Sequence, residues 1–154
     1  MSAQVKSKQR VQEHGEVFTN EREVNAMLDM VKQETERIES RFLEPACGDG
    51  NFLAEVLRRK LVVVASLYRK SPGEYMRYAF VAVASIYGVD ILEDNARECR
   101  ERLYGIVESE SRAAIKGAVE LLFLDAVRYV LEKNILCGDA LTLKNALGEP
   151  ITFA

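Results

Sequence analysis

Arg41-Phe42-Leu43-Glu44-Pro45-Ala46-Cys47-Gly48-Asp49-Gly50-Asn51-Phe52-Leu53 is the segment from which the rest of this chain is best interpreted. Its first residues are typical of the end of a short buried strand, and Pro45 ends strand pairing because it has no amide donor. Gly48 and Gly50 permit positive φ angles and a close approach of the backbone to a ligand. From Asn51, a candidate helix cap, the apolar spacing predicts a helix. Strand, turn and helix N-terminus together predict a pocket of free amides suited to a nucleotide-like or carboxylate-bearing ligand.

The turn resembles the cofactor-binding motif of S-adenosylmethionine-dependent DNA adenine-N6 methyltransferases of restriction-modification systems. That family commonly writes it Asp-Pro-Ala-Cys-Gly-Ser-Gly-Asn-Phe. The resemblance implies a cofactor site for S-adenosylmethionine that includes Glu44, Pro45, Ala46, Cys47, Gly48 and Gly50. One alternative is a strand–helix turn that binds nothing. A dinucleotide fold fits less well, because Leu53 stands where the third glycine of G-x-G-x-x-G belongs.

Composition and charge describe one globular domain. The chain has 154 residues, of which 48% are hydrophobic and 29% charged, with a net charge of −3. No apolar run is long enough to cross a bilayer, and three cysteines without paired spacing indicate neither a zinc site nor disulfides, so a reducing cytoplasm is expected. The basic clusters at 6–10 and 58–60 are interpreted as solvated faces. DNA, if it is the substrate, would then be held mostly by residues outside this chain.

Residues 1–14 are polar and are predicted to form a mobile tail, and residues 15–154 form the predicted domain. Phe18 and Thr19 have two interpretations, a hydrophobic staple with a helix cap or part of the cofactor site. The second rests on the family resemblance, in which a Gly-x-Phe-Phe-Thr-Pro segment precedes the glycine turn and lines the cofactor. The match is partial, because Val17 and Asn20 replace its first Phe and its Pro. A helix is predicted from here to about Arg37.

Two further sites follow the next two predicted strands. Residues 86–91 form the second strand, which ends in Asp90, and an acid there can accept hydrogen bonds from ribose hydroxyls. Asp90 could instead cap the next helix or be a surface acid. Ile91 would lie against the adenine. Residues 134–141 form the third strand and its loop. By resemblance, Asp139 in the Gly-Asp-Ala-Leu segment accepts a hydrogen bond from the adenine amino group, with Ala140 beside it; the alternative is a turn-forming aspartate.

Helices are predicted over residues 51–68, 74–85, 92–108 and 118–133, with a loop at 109–116 and no strand after residue 141. Together with the strands they predict an α/β fold. The resemblance specifies a Rossmann-like class I methyltransferase fold, here a partial parallel sheet of three strands in the order 3-2-1 with helices on both faces. The first strand would then present an unpaired edge, residues 41–45, for a second copy or another chain.

The chemistry that the resemblance implies needs an Asp/Asn-Pro-Pro-Tyr/Phe segment, which holds and stacks the flipped target base. The three prolines of this sequence are not adjacent, so no catalytic residue is assigned and the domain is expected to be incomplete and inactive alone. The function predicted is the S-adenosylmethionine-binding part of a DNA adenine-N6 methyltransferase. The alternatives are a non-catalytic cofactor- or partner-binding subunit completed by another chain, and a methyltransferase acting on a non-DNA substrate.

Overall fold

The computed structural model describes residues 20–154, in which two helices precede each of the first three strands and a fourth strand follows the third. The predicted polar tail and two candidate site residues, Phe18 and Thr19, lie outside the described residues. The helices are α1 (Glu21–Asp29), α2 (Lys32–Thr35), α3 (Asn51–Tyr68), α4 (Pro72–Ala84), α5 (Glu93–Ala114) and α6 (Leu121–Asn134). The strands are β1 (Phe42–Glu44), β2 (Ile86–Asp90), β3 (Ile135–Asp139) and β4 (Lys144–Asn145). None of these helices combines the length and the apolarity needed to cross a bilayer.

The sheet is mixed and has four strands in the order β1-β2-β3-β4. β1 and β3 pair in parallel with β2, with Leu43 beside Tyr87 and Leu136 beside Val89. The neighbouring pairs β1–β2 and β2–β3 are those of the predicted strand order 3-2-1. The prediction of a purely parallel sheet without a strand after residue 141 is wrong, because β4 pairs antiparallel with β3. The chain folds back at residues 140–143, where the Leu143 amide donates to the carbonyl oxygen of Asp139 at 2.8 Å. A second turn follows β4, in which the Asn145 side chain accepts hydrogen bonds from the amides of Leu147 and Glu149 at 2.9 Å.

Helices α1 and α3 to α6 pack in one core cluster with Ile86 and Ile135, which share one face of the sheet. The prediction of helices on both faces is therefore wrong for these helices. Gly88 of β2 faces this layer, because a Cβ added there would lie 3.0 Å from Leu53 of α3. Tyr87, one residue earlier, points to the opposite face and meets the ring of Phe153, with centroids 5.2 Å apart. On that second face Leu43 is 57% exposed. The C-terminal residues therefore cover part of this face, and β1 lies at the edge of the sheet, as predicted.

Two helix boundaries differ from the predictions by more than three residues. The first helix was expected to reach Arg37, but α1 ends at Asp29 and a separate short helix follows. α5 continues to Ala114 through most of the predicted loop at 109–116. The buried positions of α5 recur every four residues and include Ser111. The buried face of α5 thus continues through a polar residue, and a search for apolar residues at helical spacing does not detect this part of the helix.

A buried lysine fixes the approach of the chain to β1. Lys60 of α3 is 0% exposed, so the interpretation of residues 58–60 as a solvated cluster is wrong at this position. Its Nζ donates to the carbonyl oxygen of Ile38 at 2.9 Å, to Ser85 Oγ at 2.6 Å and to the carbonyl oxygen of Ser40. Burial lowers the pKa of Lys60 to about 8. The ammonium group thus joins the segment before β1 to the end of α4.

Candidate cofactor site at the carboxyl edge of the sheet

The glycine turn between β1 and α3 has the backbone that the sequence predicts. Gly48 and Gly50 have φ angles of 55° and 91°, in the region that favours glycine. A Cβ on Gly50 would also lie 2.9 Å from the Sγ atom of Cys99 on α5. Gly50 occupies the cap position of α3, and its carbonyl oxygen accepts from the Ala54 amide at 2.7 Å. Asn51, predicted as the cap, is instead the first helical residue.

Two hydrogen bonds attach the turn to the central strand β2. The Cys47 amide donates to the carbonyl oxygen of Val89 at 2.9 Å. The Gly48 amide donates to Asp90 Oδ2, also at 2.9 Å. The structure therefore brings together the glycine turn and the acid at the end of β2, which are 42 residues apart in sequence.

Asp90 is 8% exposed and makes further hydrogen bonds within the chain. Its Oδ1 atom accepts from the Leu92 amide at 2.9 Å and from Asn95 Nδ2 at 3.2 Å. Asp90 thus contacts the residues at the start of α5. Its alternative interpretation as a helix cap is wrong, because the cap residue of α5 is Leu92. A carboxylate oxygen can accept two hydrogen bonds, and Oδ2 accepts one from the described chain, so capacity for a ligand hydroxyl remains there.

The third predicted site lies on the neighbouring strand at the same edge. The register of β2 and β3 pairs Asp90 with Cys137, so Asp139 extends two residues further on the same face. Asp139 Oδ1 accepts from the Leu141 amide at 2.8 Å, the turn-forming contact of the alternative interpretation. Ala140 is half-buried. The Ile91 side chain is 54% exposed, and the carbonyl oxygen of this residue lies 3.6 Å from Cys137 Sγ.

The residues that enter the turn differ in burial. Pro45 and Ala46 are exposed, whereas Glu44 is half-buried. Glu44 Oε1 accepts from the Ala46 amide at 3.3 Å. Burial raises the pKa of the Glu44 carboxyl above its ordinary value, and the hydrogen bond from Ala46 opposes this shift.

Cys47 is a packing residue of the turn. It is 6% exposed, and its thiol contacts that of Cys99 on α5. This contact and burial raise the pKa of the Cys47 thiol far above its ordinary value, so a thiolate nucleophile is disfavoured. All three cysteines of the chain are free thiols.

An aspartate and an arginine that the sequence reasoning did not select complete the turn. Asp49 Oδ1 is buried and has no hydrogen-bond donor among residues 20–154. Arg102 of α5 donates to Asn51 Oδ1, and its NH1 atom lies 3.8 Å from Asp49 Oδ1, which is an ion-pair distance too long for a hydrogen bond. A cavity of about 260 Å³ lies beside this group, lined in part by Asn51, Arg102 and Glu55. The sequence signal that could have selected residue 49 is its identity, because it is aspartate here and serine in the family motif.

Comparison with known proteins gives one partial similarity. DNA methyltransferase A of Bacillus subtilis (strain 168) is 27% identical over 107 residues, which is 68% of this chain. The match spans 12% of the length of that protein. No protein-family model and no solved structure matches the chain. This similarity supports a relationship between the chain and methyltransferases.

Proposed function

We propose that this chain is the S-adenosylmethionine-binding part of a DNA adenine-N6 methyltransferase of restriction-modification type. The observation that carries the proposal is the hydrogen bond between the Gly48 amide and Asp90 Oδ2. It joins the glycine turn to the acid of β2 at the carboxyl edge, where ligands of parallel α/β sheets bind. The motif resemblance and the partial similarity to a DNA methyltransferase support the choice of cofactor and of substrate.

The arrangement of acceptors fits this cofactor. Gly48 and Gly50 hold the turn with positive φ angles, and the methionine moiety would lie against the backbone of this turn. Asp49 Oδ1, a buried acceptor without a donor in the described chain, suits the ammonium group of that moiety. Asp90 Oδ2 would accept from a ribose hydroxyl and Asp139 from the adenine amino group. Phe18 and Thr19 are proposed from the resemblance alone.

The bound cofactor would supply an electrophilic sulfonium methyl group to the target amino nitrogen. The residues of this chain would bind and orient that donor. The segment that holds a flipped base in the family has no counterpart among these 154 residues, which contain no adjacent prolines. The target base would therefore be held by residues outside them.

A second candidate function is a non-catalytic cofactor- or partner-binding subunit. The exposed edge strand β1 and the 57% exposed Leu43 on the helix-free face favour it, because an unpaired strand edge can pair with another chain. A methyltransferase acting on a non-DNA substrate would use the same cofactor half. Methyl incorporation into DNA, measured with and without candidate partner chains, separates these functions.

Calorimetric titration with S-adenosylmethionine and with its demethylated product tests the cofactor proposal. Saturable binding of both is expected, and Asp49→Asn should weaken it about tenfold through loss of the charge that faces the ammonium group. Glu55→Gln, which changes a carboxylate of the adjacent cavity outside the turn, is the matched control and should leave affinity within about twofold. Absence of binding by the folded chain would contradict the proposal.

A further inference from the structure

A cleft between α5 and α6, whose lining includes no residue of the glycine turn, concentrates arginine side chains. It has a volume of about 390 Å³, and its lining includes Arg97, Arg100 and Arg128 with Tyr104. Two glutamates, Glu101 and Glu132, also line it. In a chain of net charge −3, three guanidinium groups on one cleft are a local departure from the average surface.

The three arginines are held in different ways. Arg100 donates to the carbonyl oxygen of Ile135 at 2.8 Å and to Glu93 Oε1 at 3.0 Å, so its guanidinium group is held by contacts within the chain. The guanidinium of Arg128 lies 4.1 Å from the centre of the Tyr104 ring. Stacking of this kind orients the guanidinium plane and leaves its N–H edge available for an anion.

Arg97 and Arg128 are both exposed and, within the described part of the chain, form no ion pair or hydrogen bond. Their positive charges are therefore not neutralised by a close carboxylate of residues 20–154, although two glutamates line the same cleft. A phosphate group accepts bidentate hydrogen bonds from guanidinium groups and would relieve the repulsion between them. The chemistry of the cleft thus favours a phosphate-bearing ligand.

Tyr129 and Lys133 of α6 follow directly in sequence the cleft residues Arg128 and Glu132. Tyr129 is 62% exposed, and Lys133 Nζ lies 5.5 Å from the centre of its ring. Basic residues clustered along one helix are the electrostatic footprint of a surface that contacts nucleic-acid phosphates. We propose that the α5–α6 cleft binds phosphate groups of duplex DNA, with Arg97 and Arg128 as the contacting residues. The choice of DNA rests on the proposed function.

Fluorescence anisotropy with a short labelled DNA duplex tests this inference. The double variant Arg97→Gln/Arg128→Gln should bind about tenfold more weakly, and its logarithmic salt dependence should be smaller by about two. The matched control is Arg69→Gln/Arg77→Gln, which removes the same charge from exposed positions; Arg77 also lies over a tyrosine ring, at 5.7 Å, but outside the cleft. Equal losses in both double variants would overturn the site.

A gain of affinity cannot come from misfolding, so a second variant removes an acid from the cleft. Glu132→Gln should tighten DNA binding a few-fold, whereas Glu110→Gln, at an exposed position of α5 outside the cleft, should have a smaller effect. Equal effects of the two substitutions would contradict the inference. Inorganic phosphate tests the alternative source of the same chemistry. If it raises the melting temperature of the wild type but not of the arginine variant, while DNA is not bound, the cleft is a free-anion site and the inference is wrong.

The DNA measurements are made without S-adenosylmethionine, so their outcome is independent of the calorimetric titration. DNA binding through the cleft without cofactor binding would leave this inference intact and contradict the cofactor proposal. Cofactor binding without DNA binding would support the cofactor proposal and overturn this inference. Tighter binding of an RNA duplex than of DNA would overturn the assignment to DNA.

Discussion

Replacing Asp90 with asparagine changes one oxygen of a buried carboxylate that organises both the glycine turn and the start of α5. In the native chain the carboxylate accepts from the Gly48 amide, the Leu92 amide and Asn95 Nδ2. If the asparagine oxygen keeps the last two contacts, its amino group faces the Gly48 amide, so two donors oppose each other in a buried place. Losing one hydrogen bond to a charged acceptor costs about 1.5–3 kcal/mol, and the orphaned donor adds to this.

We therefore expect Asp90→Asn to lower the free energy of unfolding by about 3 kcal/mol at neutral pH, and Asp90→Ala to lower it further because all three donors lose their acceptor. Urea unfolding followed by circular dichroism measures both changes. Asp139→Asn is the control. Its Oδ1 bond to the Leu141 amide is exposed and survives the substitution, so a change below about 1 kcal/mol is expected. Equal small changes for Asp90→Asn and Asp139→Asn would refute the reasoning.

Three further predictions concern the turn, the buried lysine and the thiols. Gly50→Ala should destabilise the chain by about 3 kcal/mol in urea unfolding, because residue 50 has a φ of 91° and the new Cβ would lie 2.9 Å from the sulfur atom of Cys99. The control is Gly73→Ala, whose new Cβ has nothing within 4 Å and which should be neutral or stabilising. Lys60 has a folded pKa of about 8 and a higher unfolded pKa, so between these two pKa values the unfolded state binds more protons than the folded state. In that pH range the free energy of unfolding, relative to that of Lys60→Met, should rise by up to about 1.4 kcal/mol per pH unit. Parallel pH profiles of the two proteins would contradict this. Mass spectrometry after alkylation of the native chain should find Cys137 modified first, because the two other thiols are buried; earlier labelling of Cys47 would show that the turn opens.

The elements that local chemistry determines were predicted well. α3 has the predicted bounds, Asn51–Tyr68, and β2 ends at Asp90 within one residue of the prediction. Proline and glycine restrict the backbone directly, so strand ends, turns and helix starts near them can be inferred from the sequence. The contact between the turn and the acid of β2 was also predictable, since parallel strands place their carboxyl ends at one edge.

The remaining features depend on contacts between residues that are distant in sequence. Lys60 resembles any residue of an exposed basic run until the carbonyl oxygens of Ile38 and Ser40 surround it. The helices pack on one face of the sheet because they cover one set of alternating side chains of β2. The alternation along a strand does not show which of its two faces the helices leave open. The contact of Arg102 with Asn51 joins two helices, and no local pattern marks it.

The attachment of the glycine turn to β2 determines how the turn should fluctuate. β1 has three residues and lies at the sheet edge, so its outer amides should exchange with solvent deuterium quickly by local fraying. The amides of Cys47 and Gly48, although they follow β1 in sequence, bond to Val89 and Asp90 of the central strand. Their exchange should therefore follow the slow openings of the sheet interior, which keeps the candidate cofactor loop ordered while the neighbouring edge moves.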